Sequence, residues 1–215
     1  GSFINENLQI THIAGKVTIL PATVTITPNA DQTKVYGEID PVFTYTNNAG
    51  LTSGDFTGAL SRTSGNNVGN YNYTLGDLSA GPNYSLILSS TDPVSQFSIT
   101  RKSVNITANP AQSKVYGDND PVFTYTNSEG LNASSFTGAM GRVSGSNVGS
   151  YAYTLGNLSA GNNYTLILVA ANTFEIKKAP LNVKANDTYI YKGSPLPVFT
   201  STIIAFKAGD INPGV

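Results

Sequence analysis

Apolar and polar residues alternate along most of this chain with a period of two, the pattern of a strand with one buried face. Val24 and Ile26 are flanked by Thr23, Thr25 and Thr27, and Phe43 and Tyr45 are separated by Thr44. Tyr71, Tyr73 and Leu75 share one parity, as do Tyr84, Leu86 and Leu88, and Phe97 with Ile99 closes the series. Between these runs, Ser64-Gly65-Asn66-Asn67, Gly76-Asp77 and Ala80-Gly81-Pro82-Asn83 supply turn residues. The pattern predicts about six short strands per copy of the repeat described next. No window holds an apolar stripe at i, i+3, i+4 and i+7, so no long helix is expected; Leu51 to Phe56 predicts a single helical turn capped by Thr52.

The same pattern is written more than once. Lys34-Val35-Tyr36-Gly37 recurs as Lys114-Val115-Tyr116-Gly117, and Tyr71-Asn72-Tyr73-Thr74-Leu75-Gly76 as Tyr151-Ala152-Tyr153-Thr154-Leu155-Gly156, a period of 80 residues. Residues 34–88 and 114–168 share 38 of 55 positions without a gap, which makes this a repeat architecture before any local propensity is considered. A third copy runs from Leu181-Asn182-Val183 through Tyr191-Lys192-Gly193 and Pro197-Val198-Phe199-Thr200 to Ala208-Gly209-Asp210-Ile211. Asn7-Leu8-Gln9-Ile10 and Val17-Thr18-Ile19 resemble a repeat's own tail. The expected organisation is therefore the tail of a preceding copy at 1–20, complete copies at 21–100 and 101–178, and the start of another at 179–215. Gly1-Ser2 reads as a cloning scar, and the expectation is of a piece taken from a longer protein.

Each complete copy carries eight aromatics, in the first Tyr36, Phe43, Tyr45, Phe56, Tyr71, Tyr73, Tyr84 and Phe97, and these are expected to supply most of the core. Joints between copies are short, Phe97-Ser98-Ile99-Thr100 running almost directly into Val104-Asn105-Ile106, which predicts modules joined end to end as a stiff rod.

Charge is scarce. Charged residues make up 12% of the 215, about half the usual share, with 12 Lys+Arg against 13 Asp+Glu. No basic stripe exists to neutralise phosphates, so nucleic acid is not an expected partner. Without cysteine there is no disulfide framework and no thiolate chemistry. No run of 18 apolar residues occurs, so no membrane contact is expected within this stretch.

Lys-Val-Tyr-Gly, Asp-Pro-Val-Phe-Thr-Tyr-Thr, Gly-Ala-Leu-Ser-Arg, Val-Gly-x-Tyr and Leu-Ser-Ala-Gly-x-Asn-Tyr, in this order, resemble the MBG repeat of the YGX type across essentially the whole chain. The third copy departs from it, with Tyr191-Lys192-Gly193 where Tyr-Gly is expected. The resemblance implies tandem, mainly β modules of large bacterial adhesin-like proteins, secreted or held at the cell surface, with a β-grasp-like fold. The Val-Gly-x-Tyr segment alternatively resembles the tyrosine corner of an immunoglobulin-like sandwich. The resemblance supplies no catalytic residues to carry over.

Candidate chemistry is thin. Glu38, Asp40, Asp118 and Asp120 lie in acidic turns and are the candidate oxygen donors for calcium; the third copy has Ser194-Pro195-Leu196 there and no acid, so the turn does not need a cation and no cofactor is expected. Tyr45 and Tyr125 are the candidate ligand contacts, because the third copy places Ser201 at that position. Lys34 and Lys114 are read as solvated strand-end lysines, with a lysine-to-asparagine crosslink as the sharper alternative. Arg62 and Arg142 are expected to pair with a carboxylate. His12, the only histidine, cannot by itself build a dyad or a metal site.

With no converging nucleophile, base and orienting group, the chain is expected not to be an enzyme. The expected role is that of a stalk or spacer whose partners are its neighbouring repeats. The alternative is an adhesive module that binds a host or cell-surface glycan or a protein through its turns and Tyr45 and Tyr125.

Overall fold

The computed structural model describes residues 11, 13–90, 96–204 and 207. His12 and the segments Asn7–Ile10 and Ala208–Ile211 lie outside the described residues. The chain forms two units: the first holds the residues up to Lys34 together with Glu38–Ile99, the second Val35–Gly37 together with Thr100–Val215.

In the first copy the strands are β1 (Ala22–Pro28), β2 (Thr33–Val35), β3 (Tyr45–Asn47), β4 (Ser61–Arg62), β5 (Gly69–Thr74), β6 (Tyr84–Leu88) and β7 (Gln96–Thr100). They form a three-stranded sheet in the order β3-β1-β6 and a four-stranded sheet in the order β2-β7-β5-β4. β1 runs antiparallel to β3, with Ile26 opposite Asn47, and parallel to β6, with Val24 opposite Leu86. Ser53–Asp55 forms the expected single turn, of 3-10 type. Its Asp55 carboxylate accepts from the Thr52 N–H at 2.7 Å and from the Thr52 hydroxyl at 2.8 Å, and these bonds hold its pKa below the ordinary value.

The second copy repeats this layout with β8 (Lys102–Ala108), β9 (Ser113–Val115), β10 (Tyr125–Asn127), β11 (Gly141–Arg142), β12 (Gly149–Thr154), β13 (Tyr164–Val169) and β14 (Thr173–Lys177). The sheets are β10-β8-β13 and β11-β12-β14-β9, and each contains one parallel pair, β13 with β8 and β14 with β9. An all-antiparallel sandwich has no such pair. Among the described residues there is also no α-helix, and the sheets of each module curl into a half-barrel.

Cores form where residues from both sheets meet. In the second copy Val104, Ile106 and Ala108 of β8 face Tyr153 of β12 and Phe174 and Ile176 of β14, and Phe123, Met140 and Leu158 arrive from the connecting segments. Only three of the eight aromatics per copy are buried: Phe43, Tyr73 and Phe97 in the first, Phe123, Tyr153 and Phe174 in the second. The other five of the second copy, Tyr116, Tyr125, Phe136, Tyr151 and Tyr164, pack against the core while partly buried. In the first copy the aliphatic Val24, Ile26, Leu60, Leu78 and Ile99 outnumber the fully buried aromatics. Period-two strands bury one face only, and that face is filled by short β-branched side chains that fit a pleated surface.

The third copy keeps the first hairpin. β15 (Asn182–Ala185) pairs antiparallel with β16 (Ser201–Ile204), with Ala185 opposite Ser201 just as Ala108 stands opposite Tyr125. Its Tyr191-Lys192-Gly193 turn is conformationally the same as Val115-Tyr116-Gly117: φ is +89° at Gly193 and +84° at Gly117, and the closing bond runs from Ser194 N–H to the Tyr191 carbonyl at 3.0 Å, as Asp118 N–H does to Val115 at 3.1 Å. The glycine, not the tyrosine before it, sets this turn, because only glycine enters that region without strain.

Candidate functional site

The densest group of polar side chains in each module gathers around one arginine. Arg62 lies on the two-residue β4, and its side chain is only 7% exposed. Its Nε donates to Asp40 Oδ2 at 2.7 Å and its Nη2 to Asp40 Oδ1 at 3.0 Å, a two-point grip on one carboxylate. Nη1 donates to the carbonyls of Thr63 and Gly65 at 3.0 and 2.7 Å. The guanidinium stands over the Tyr71 ring, 4.6 Å from its centre, and 5.3 Å from the centre of Phe97. Lys34 reaches the same Asp40 at 2.6 Å with its own side chain 8% exposed. The reading of Lys34 as a solvated lysine is thus corrected: it is sheltered, because its stem lies along the module while its ammonium finds a fixed counter-charge.

Tyr71 completes the arrangement. Its hydroxyl donates to the Asn67 carbonyl four residues upstream at 2.7 Å, the contact expected of a tyrosine corner. The ring also explains Gly65: a Cβ there would lie 2.3 Å from a Tyr71 ring carbon, and φ is +146°. No residue with a side chain fits between this ring and the arginine's carbonyl partner.

Every part is duplicated. Arg142 holds Asp120 at 2.7 and 3.0 Å and the Val143 and Gly145 carbonyls at 2.9 and 2.8 Å, and it lies 4.8 Å from the Tyr151 ring centre. Lys114 meets Asp120 at 2.7 Å, and the Tyr151 hydroxyl donates to Asn147 at 2.6 Å. Both carboxylates titrate below their ordinary range. The arginine's hydrogen bonds are the largest cause, desolvation opposes them, and the lysine adds to the lowering.

The sequence-level candidates fall as follows. Asp40 and Asp120 are each occupied by two cations, so their oxygens answer an internal positive charge. Glu38 is exposed, and Asp118 pairs with Lys207 at 2.8 Å. Among the described residues no three acidic or histidine side chains gather as a metal site would require. Tyr45 and Tyr125 are half-buried, standing edge-on to Phe56 and Phe136 at 5.5 Å, and burial raises both phenol pKa values. A groove lined by Pro121, Val122, Phe123, Met140 and Val143 opens to solvent beside Arg142.

Sequence reasoning missed a second polar group. Gln32 donates from Nε2 to the Asn29 and Thr44 carbonyls at 3.1 and 3.0 Å, and its Oε1 accepts from the Thr44 N–H at 2.7 Å. Asn29 Nδ2 donates to the Thr44 hydroxyl at 2.8 Å. Gln112, Asn109 and Thr124 repeat the clasp, and Asn186 with Thr200 keeps its Asn–Thr half. The available signal was the recurrence of these polar residues at identical spacing.

A repeated module with this polar framework is matched by the family model for the MBG domain (YGX type) over residues 24–92 and again over 104–175. The chain belongs to the MBG domain family. No curated protein and no solved structure matches it. MBG domains are structural repeat modules of a kind found in surface proteins. The two MBG matches coincide with the two complete copies of the Arg–Asp–Lys–Tyr group. In this MBG chain no helix among the described residues is long and apolar enough to cross a membrane.

Proposed function

We propose that these MBG copies are a non-catalytic spacer in a secreted or surface-held bacterial adhesin-like protein, carrying other parts of that protein outward as a stiff stalk. One observation carries the reading: in both copies the strongest polar side chains are spent on the module's own backbone and rings. Arg62 and Arg142 hold Asp40 and Asp120 and two carbonyls each. A catalytic or binding group must keep free valence for its substrate, and each of these arginines commits four of its five N–H donors within its own module. Joint length supports stiffness, since only Arg101 separates β7 from β8, and four residues separate β14 from β15.

The alternative, in which Tyr45 and Tyr125 contact a glycan or a partner protein, has their packing against Phe56 and Phe136 to overcome. Small-angle scattering on chains with increasing numbers of copies tests the spacer reading. Maximum dimension is expected to rise in equal increments per copy at constant cross-section. A dimension that stops growing would overturn it.

A further inference from the structure

We propose that the outer edge of Tyr164–Val169 pairs with the same edge of a second copy of this chain, antiparallel and centred on Ile167, so that two three-stranded sheets become one. In the order β10-β8-β13 this strand has, among the described residues, a strand partner on one side only. Its ladder with β8 starts from Lys102 N–H to the Asn163 carbonyl at 3.0 Å. Parallel alternation then turns the backbone groups of Thr165, Ile167 and Val169 toward β8 and those of Leu166 and Leu168 outward. Leu166 and Leu168 meanwhile pack their side chains on the core, and Ile167 and Val169 are 45% and 39% exposed on the opposite face.

The occupant is a second copy because this edge is complementary to itself. Antiparallel pairing about Ile167 sets Leu166 against Leu168 of the second copy, and Leu168 against its Leu166. Each pair offers outward N–H and carbonyl groups that exchange both hydrogen bonds. Ile167 then meets Ile167, and Thr165 meets Val169, so no like charges oppose one another. None of the usual protections of an edge strand is present, since Tyr164–Val169 contains no charge, proline or glycine. The same edge recurs in the first unit as Tyr84–Leu88, where Ile87 is 47% exposed. One six-residue edge buries less than the ~1,200 Å² of a stable interface, so a single pairing is weak and gains strength with the number of edges engaged.

The chain has no cysteine, which makes the test clean. Ile167→Cys introduces one thiol, exposed and away from the core, at the position where two copies face each other about 4.5 Å apart between Cα atoms, within disulfide reach. Under mild oxidation this variant is expected to form a covalent dimer roughly tenfold faster than Ser150→Cys, an exposed position on the interior strand β12. Mixing Thr165→Cys with Val169→Cys is expected to give the mixed disulfide in preference to either symmetric one, which confirms the register. Ile167→Lys combined with Ile87→Lys, which charges both equivalent edges, is expected to abolish concentration-dependent association in sedimentation. Equal crosslinking of Ile167→Cys and Ser150→Cys, or a parent chain that is monomeric at every concentration, would overturn the proposal.

Discussion

Lys34 and Asp40 meet at 2.6 Å in the first copy, and in the third copy their two positions are filled by Ile190 and Leu196. The ion pair of the first copy thus gives way in the third to two apolar residues that are 50% and 76% exposed, so the positions do not require charge. Arg62 breaks the symmetry of the choice, because it needs Asp40 whatever stands at position 34.

Lys34→Ile is therefore expected to change the stability of the first unit by less than ~1 kcal/mol, whereas Asp40→Leu strands a sheltered guanidinium and costs about 3 kcal/mol. Urea unfolding of the two variants side by side checks the difference.

Acid removes the same contribution. Asp40 and Asp120 are held below the ordinary carboxylate value, first by the hydrogen bonds of Arg62 and Arg142, against desolvation, with Lys34 and Lys114 assisting. In the unfolded chain they bind protons more readily, so stability from these groups is fully present above ~4 and is lost as pH falls through their depressed folded values. The thermal midpoint is expected to fall with pH in that window, and a chain carrying Asp40→Asn and Asp120→Asn is expected to show a flatter decline.

Alkali acts on the core. The hydroxyls of Tyr73 and Tyr153 are buried without a hydrogen bond. Gln32 and Gln112 face them, but their amides are committed to Asn29, Thr44, Asn109 and Thr124. Burial is the main cause that raises both phenols above their ordinary value, with the facing Gln32 and Gln112 opposing it. Their contribution is fully present below ~10 and is lost as pH rises from there toward the folded values. Tyr153→Phe is expected to remove part of that alkaline loss and, by deleting an unsatisfied group, to raise neutral-pH stability by about 1 kcal/mol. Denaturation at pH 7 and pH 11 reads both effects.

Ala111 sits at φ +61°, where the first copy has Asp31 at φ +60°. An alanine in the left-handed region costs about 1–2 kcal/mol, and Asn or Asp visits it more readily. Ala111→Asn is expected to stabilise the second unit by about 1 kcal/mol, read from its unfolding midpoint.

The strand framework was legible in the sequence because period-two alternation and an 80-residue self-match are both written in the residues that the fold buries or turns on. Thr52, the tyrosine corner and the expectation that Arg62 meets some carboxylate were legible for the same reason: each is local or repeated. Other features needed coordinates. Arg62 and Asp40 are 22 residues apart, and nothing in a pattern of apolar positions says which acid an arginine will meet. Repetition does not mark burial everywhere. Pro-Val recurs in all three copies, as Val42, Val122 and Val198, yet these valines are 86%, 86% and 88% exposed. Identity between copies therefore marks more than the core.

Stretching single molecules of this chain at constant velocity tests most directly whether each complete copy is a separately folded bead. Two successive unfolding events of similar force are expected, each releasing a length equivalent to about 80 residues at ~3.6 Å per residue. A single event releasing both copies together would contradict the account.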